Sequence, residues 1–186
     1  MTGSLLPLLP NLLSASRFVF APLAVRAILA GDDSAALWLC LTAGLTDFAD
    51  GWLARLLGVV SPFGEKLDPA ADKFMLAVIY GTLWMVRSEP ASTVVLLRDL
   101  VIVVGAFGIW ASTRRTSFPP SWPGKISTTL QIGWLVVYFA HWEQVMTLAT
   151  VVMLAATIVS GLDYIRIGFR MIAAGGRSGP PASPAT

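Results

Sequence analysis

"TDFADGWLARLLGVVSPFGEKLDPAADKF", residues 46–74, holds four aspartates, Asp47, Asp50, Asp68 and Asp72, with apolar runs on both sides. On a helix, residues three, four and seven apart share a face. Asp47, Asp50, Gly51 and Ala54 therefore line one stripe of one helix, and Asp68 and Asp72 stack on the next. The link between them is short, which predicts antiparallel neighbours with both acidic faces at one end. Pro69 suits the first turn of the second helix. That would put Asp68 at an N-terminus, where the macrodipole favours a carboxylate.

The rest of the chain explains why such a cluster needs compensation. Of 186 residues, 55% are hydrophobic and 13% charged, and the mean hydropathy is +0.71. A soluble domain cannot hide that much apolar surface. Six apolar stretches cover residues 11–29, 35–57, 67–86, 91–111, 126–140 and 145–169. Glycine, proline and charge separate them, and backbone inside a bilayer must satisfy its own hydrogen bonds, so helices are predicted. The expected fold is an all-α integral membrane protein of six transmembrane helices. The start, "MTGSLLPLLPNLLSASR", lacks a basic n-region and a clear cleavage site. It is read as a short interfacial helix leading into the first span, not as a removable signal peptide. Residues 1–174 form the expected membrane domain, and the small, proline-rich tail 175–186 is expected to be disordered.

Basic residues orient the bundle. With six spans, Arg55, Lys66, Arg114, Arg115, Lys125, Arg166, Arg170 and Arg177 fall on the side of the termini, and Arg26 and Arg87 on the other. The excess places the termini, and the links after helices 2 and 4, in the cytoplasm. The aspartate stretch then opens to the cytoplasmic face of the inner membrane. Arg17, Lys73 and Arg98 lie within spans. The single cysteine, Cys40, excludes an internal disulfide. His141 lies at the opposite interface, and Trp38, Trp122 and Trp142 fit aromatic belts. No nucleic-acid partner is expected.

A carboxylate at mid-bilayer costs on the order of 2.5–3.5 kcal/mol, and four together repel one another. Hard oxygen ligands suit Mg²⁺ or Mn²⁺, or Ca²⁺ in a looser site, and two divalent ions would neutralise four charges. Gly51 and Ala54 share the stripe with the acids. Small residues also serve helix packing in membranes, but on this face they leave room for a bulky ligand.

The pattern Asp47-x2-Asp50-Gly51-x2-Ala54-Arg55-x8-Gly64-x3-Asp68-x3-Asp72 resembles, at every fixed position, the signature of the CDP-alcohol phosphatidyltransferase family. "PNLLSASRFVFAPL" is similar to the family's first span. "RDLVIVVGA" and "PSWPGKISTTLQ" are similar to segments of the branch that uses glycerol-type acceptors. The resemblance implies six transmembrane helices, a homodimer and two bound divalent ions, Mg²⁺ or Mn²⁺. It also implies transfer of a phosphatidyl group from CDP-diacylglycerol to an alcohol, with release of CMP. By position, Asp47, Asp50, Asp68 and Asp72 would be the metal-site acids, and Asp72 also the general base on the acceptor hydroxyl. Asp47 and Asp50 would face the CDP donor through the metals. Gly51, Ala54 and Gly64 would make room for the cytidine and its phosphates, with Arg55 at that nucleotide end.

Chemistry supports the same assignment. Negative oxygens on the donor repel a nucleophile, and metals would neutralise them. The alcohol needs a base as it attacks. Arg98 and Lys125 are expected to bind a phosphate of the acceptor. Residues adjacent in a helix do not face each other, so Arg98 and Asp99 are expected to have separate partners. Arg114 and Arg115 are read as positive-inside anchors, their further role open.

The acceptor is the harder question. Arg98-Asp99, with Ala106 about two turns later, departs from the glycerol 3-phosphate pattern, which has a second arginine there. That departure resembles the branch that makes cardiolipin from phosphatidylglycerol, the leading expectation, with phosphatidylglycerophosphate synthesis from glycerol 3-phosphate as the alternative. A membrane prenyltransferase would carry two aspartate motifs far apart in a chain of more helices. A divalent-cation transporter would distribute its acids through the membrane depth.

Overall fold

The computed structural model describes residues 8–57, 64–113 and 121–175, with side chains over 16–46, 72–111 and 121–171. It contains six helices: α1 Leu8–Leu29, α2 Asp33–Leu57, α3 Gly64–Arg87, α4 Pro90–Thr113, α5 Trp122–Phe139 and α6 Glu143–Gly175. Among the described residues there is no strand. Each expected apolar stretch corresponds to one helix. α1 runs unbroken from Leu8, and residues 1–7, where the rest of the expected interfacial segment falls, lie outside the described residues. So do Arg114, Arg115 and the tail beyond residue 175.

Three tight turns close one end of the bundle, and each uses a residue in the left-handed region. Gly31 (φ +75) ends α1, Ser88 (φ 51) ends α3 and His141 (φ 54) follows α5. Around Gly31, Asp32 N donates back to Ala27 O at 2.9 Å, while Asp32 Oδ1 accepts from Ala35 N at 2.9 Å. One short segment thus stops α1 and caps α2. At the second turn Glu89 N reaches Leu83 O at 3.3 Å, and at the third Trp142 N reaches Val137 O at 3.2 Å. These bonds use carbonyls that a helix end leaves unpaired.

The same end is fastened by charge. Arg87 donates from both terminal nitrogens to the two carboxylate oxygens of Asp33, the Nη1–Oδ2 bond measuring 3.0 Å. These bonds hold the Arg87 guanidinium above its already high ordinary range. His141 Nε2 lies 3.0 Å from Asp33 Oδ2, and Arg87 sits 5.8 Å over the Tyr138 ring. The start of α2, the end of α3 and the turn between α5 and α6 therefore meet on one aspartate.

Close packing joins α1 to α2 and α3, α4 to α3 and α6, and α5 to α2 and α6. The helices form a closed ring in the order α1, α3, α4, α6, α5, α2. Among the described residues, α1 stands beside both acidic helices, where direct α2–α3 packing was expected. Six residues separate Leu57 from Gly64, and an extended chain of that length reaches about 20 Å, so proximity in sequence does not force contact. α3 also begins at Gly64. Asp68 therefore lies a turn inside the helix, past the region where the N-terminal dipole acts most strongly, which corrects the expected N-terminal position.

The core joins alanines of α1 and α2 (Ala21, Ala24, Ala36, Ala43) to Ile79, Tyr80, Leu83, Trp134, Leu135 and Phe139. Small residues let α1 and α2 approach closely. The outside is apolar: Trp38, Leu45, Met85, Val103, Phe107, Leu148, Leu162 and Phe169 are exposed. The inside carries polar groups, with Arg17, Arg98, Ser127, Gln131, Thr157 and Ser160 buried. Pro90–Ala111 and Glu143–Met171, each of mean hydropathy 2.1, are long and apolar enough to cross a membrane.

Candidate active site

The signature residues fall on helices. Asp47, Asp50, Gly51, Ala54 and Arg55 belong to α2, while Gly64, Asp68 and Asp72 belong to α3. Helical spacing puts Asp47 with Asp50, and Asp68 with Asp72, on one face of each helix. The side chains of residues 47 to 71 lie outside the described residues, so the fourth acid, Asp72, is where the site can be followed atom by atom.

Asp72 is held by an arginine that carried no assigned role in the sequence reading. Arg17 Nη1 lies 2.8 Å from Asp72 Oδ1; Arg17 is 1% exposed and Asp72 38%. Arg17 comes from α1, the helix beside both α2 and α3. A buried guanidinium requires a partner, and an arginine in the middle of a buried helix therefore demands a carboxylate within reach. That demand is a signal available in the sequence, although the choice of Asp72 depends on which helices pack. The carboxylate is gripped at Oδ1 and still presents surface outward. Two i, i+3 or i, i+4 carboxylate pairs, on helices sharing α1 as neighbour, are a donor set that fits hard divalent ions.

A second polar centre lies where α4 meets α6. Arg98 is 6% exposed. Its Nη1 donates to Asp99 Oδ1 at 2.7 Å and its Nη2 to Ser160 Oγ at 2.7 Å. The expectation of separate partners for Arg98 and Asp99 is thereby corrected. Two neighbours on a helix diverge at Cβ, but an arginine side chain is long enough to bend back onto an adjacent carboxylate. The guanidinium also lies 5.7 Å from the Tyr164 ring centre.

Lys125 enters from the start of α5. Ser121 caps that helix, accepting from Gly124 N at 3.2 Å. A Cβ on Gly124 would come within 2.9 Å of the Tyr164 hydroxyl, so only glycine fits without movement. Lys125 is exposed, its Nζ 5.6 Å over the Trp122 ring. Tyr164 thus spans the distance between Arg98 and the turn carrying Lys125. Deeper in the bundle, Gln131 Nε2 donates to Ser127 Oγ (3.3 Å) and Thr157 Oγ1 (3.2 Å), while Tyr80 donates to Gln131 O at 2.9 Å. This layer ties α3, α5 and α6 behind the site. Ser160, Gly161 and Tyr164 were not singled out in sequence because hydroxyls and glycine in a span are ordinary packing residues.

A sequence profile of the CDP-alcohol phosphatidyltransferase family matches residues 7–162. The chain is 35% identical over 174 residues to the CDP-diacylglycerol–glycerol-3-phosphate 3-phosphatidyltransferase of Aquifex aeolicus, covering 88% of this chain and 97% of that protein. It is 32% identical over 176 residues to a Mycobacterium tuberculosis protein named "Probable phosphatidylglycerophosphate synthase", covering 88% and 83%. The CMP-forming cardiolipin synthase of Rattus norvegicus is 35% identical over 111 residues, which cover 58% of this chain and 37% of that enzyme. With the complete aspartate signature carried on α2 and α3, the chain belongs to the CDP-alcohol phosphatidyltransferase family.

Proposed function

We propose that this enzyme transfers the phosphatidyl group of CDP-diacylglycerol to a hydroxyl of glycerol 3-phosphate, releasing CMP and forming phosphatidylglycerophosphate. The near-full-length relatives named for glycerol 3-phosphate favour this acceptor over the phosphatidylglycerol expected from Ala106. The observation that carries the reading in this chain is the buried Arg98 guanidinium, whose Nε has no hydrogen-bond partner among the described residues. Asp99 pairs with Arg98 at 2.7 Å, and Lys73, next to Asp72 on α3, is the cation proposed to stand in for the arginine missing from α4. A phosphomonoester dianion gains from such fixed cations. Lys125 adds a further cation at the cytoplasmic rim.

Two Mg²⁺ or Mn²⁺ ions held by Asp47, Asp50, Asp68 and Asp72 would supply charge neutralisation at the pyrophosphate. The remaining steps belong to the chain. Gly51, Ala54 and Gly64 leave space for the nucleotide, with Arg55 beside it. Asp72 takes the proton of the acceptor hydroxyl as its oxygen bonds to the phosphorus bearing the diacylglycerol. The bond from that phosphorus to the CMP oxygen breaks, and CMP leaves. Arg17 fixes the Asp72 carboxylate against rotation during the transfer.

All six helices are proposed to span the inner membrane, with the acidic end cytoplasmic. The outward apolar residues support this. The shortest helix, α5, has 18 residues, or about 27 Å, close to the hydrocarbon thickness of a bilayer. A homodimer belongs to the same proposal. The test is CMP release by the purified protein in detergent with CDP-diacylglycerol, Mg²⁺ or Mn²⁺, and a panel of alcohols. Phosphatidylglycerophosphate is the expected product. Cardiolipin from added phosphatidylglycerol, with nothing formed from glycerol 3-phosphate, would return the case to the other acceptor.

A further inference from the structure

We infer that Ser160 and Tyr164 on α6 are positioning residues for the acceptor phosphate, acting by setting the guanidinium of Arg98. The inference rests on the reading of Arg98 as an acceptor ligand. Arg98 stands on α4, yet much of what orients it comes from α6. A Cβ on Gly161 would sit 3.5 Å from Arg98 Cγ, so the arginine stem lies against that glycine. Ser160 accepts from Nη2 at 2.7 Å. Tyr164, four residues on and so on the same face, presents its ring 5.7 Å from Cζ.

Without Ser160, Asp99 alone would direct the guanidinium, and Asp99 lies on α4 itself. The serine pulls the second nitrogen across to α6 and fixes the plane of the fork. That plane matters because a guanidinium recognises phosphate through two parallel N–H groups. Among the described residues, Arg98 Nε is buried and has no hydrogen-bond partner. A buried donor left so is costly, and a phosphate oxygen on the Nε edge would satisfy it. The two bonds described use one N–H from each terminal nitrogen, so each keeps a second N–H for a further acceptor.

Tyr164 does a second job. Its hydroxyl end is pressed against Gly124, one residue before Lys125. The ring therefore sets the spacing between the Arg98 centre and the α5 turn. Ser160 and Tyr164 together would fix both the direction of one cation and its distance from the other.

Steady-state kinetics on the full chain in detergent tests this, with Arg98→Gln as reference. Ser160→Ala is expected to raise the KM for glycerol 3-phosphate about five- to tenfold, as for a weakened charge-assisted hydrogen bond. The KM for CDP-diacylglycerol and the melting temperature should stay near wild type. Ser160→Thr, which keeps the hydroxyl, should restore most of the loss. Tyr164→Leu should raise the acceptor KM, and Tyr164→Phe, which keeps the ring, much less. An unchanged acceptor KM in Ser160→Ala, while Arg98→Gln raises it, would overturn the positioning role and leave Arg98 as a ligand. An unchanged acceptor KM in Arg98→Gln would overturn both. Equal rises in both KM values with a fall in melting temperature would reduce Ser160 to a packing residue.

Discussion

Arg17 on α1 and Asp72 on α3 meet at 2.8 Å, the arginine sealed in the bundle and the aspartate at its edge. The pair joins the first helix to the last acid of the signature. Arg17→Gln should lower CMP release at least tenfold. It should also cost about 1–3 kcal/mol of stability, below the range for a fully buried pair because Asp72 is partly exposed. Arg17→Lys should retain more stability than activity, since an ammonium keeps the charge but not the planar fork. Activity tracking thermal stability one-for-one across both variants would make Arg17 a purely structural ion pair.

Asp72→Asn should abolish transfer while CDP-diacylglycerol binding persists. The amide keeps size and polarity and loses basicity, which removes the base proposed for the acceptor hydroxyl. Three other acids remain for metal. Turnover near wild type would remove Asp72 from the mechanism.

Gly51→Leu should block donor binding while the chain still inserts and folds. Leucine is favourable in a membrane helix, so harm would be local to the stripe shared with Asp47 and Asp50. Loss of the folded state in detergent, seen by size exclusion, would instead mark Gly51 as a helix-packing residue.

At the far end, Asp33 gathers Arg87 and His141. Asp33→Asn should lower stability by about 1–3 kcal/mol, since it weakens a half-buried ion pair and leaves Arg87 poorly partnered. Both substrate KM values should hold, because the cluster lies at the end of the bundle opposite the acidic residues. A selective change in either KM would show that the far end is coupled to the site.

Much of this architecture is legible in the sequence, because long apolar runs leave few alternatives to helices. Apolar runs broken by "AGDDS" or "RSEP" must be helices joined by turns, and the observed turns at Gly31 and Ser88 fall within those breaks. The aspartate spacing is equally legible, being a property of one helix at a time. What escapes is whatever depends on which helix stands beside which. α1 beside both acidic helices, Arg17 on Asp72, and Arg98 reaching Ser160 sixty-two residues away are long-range facts. A serine in a span reads as packing until an arginine from another helix is found on it. The start of α3 at Gly64 escaped for a different reason. Pro69 offers a plausible first turn, but it is not the only place where this helix can begin.

Lys73 tests the proposed choice of acceptor. Ala106 lacks the positive charge expected on α4 for a glycerol 3-phosphate site, and Lys73, next to Asp72 on α3, is the cation proposed in its place. If Lys73 replaces the missing cation, Lys73→Met should raise the KM for glycerol 3-phosphate by roughly tenfold, the scale of one charge-assisted contact. Methionine keeps an unbranched apolar stem of similar length, so packing should survive. The KM for CDP-diacylglycerol should change little, because the donor pyrophosphate is proposed to be held by the metal ions and α2. Asp99→Asn bears on the same balance from the other side. Removing the anion that offsets Arg98 should leave the pocket more positive, and the acceptor KM should fall or hold if geometry is preserved. A rise in Asp99→Asn together with no change in Lys73→Met would mean that orientation of Arg98, and not the count of cations, decides acceptor binding. Lys73 would then have no part in choosing glycerol 3-phosphate.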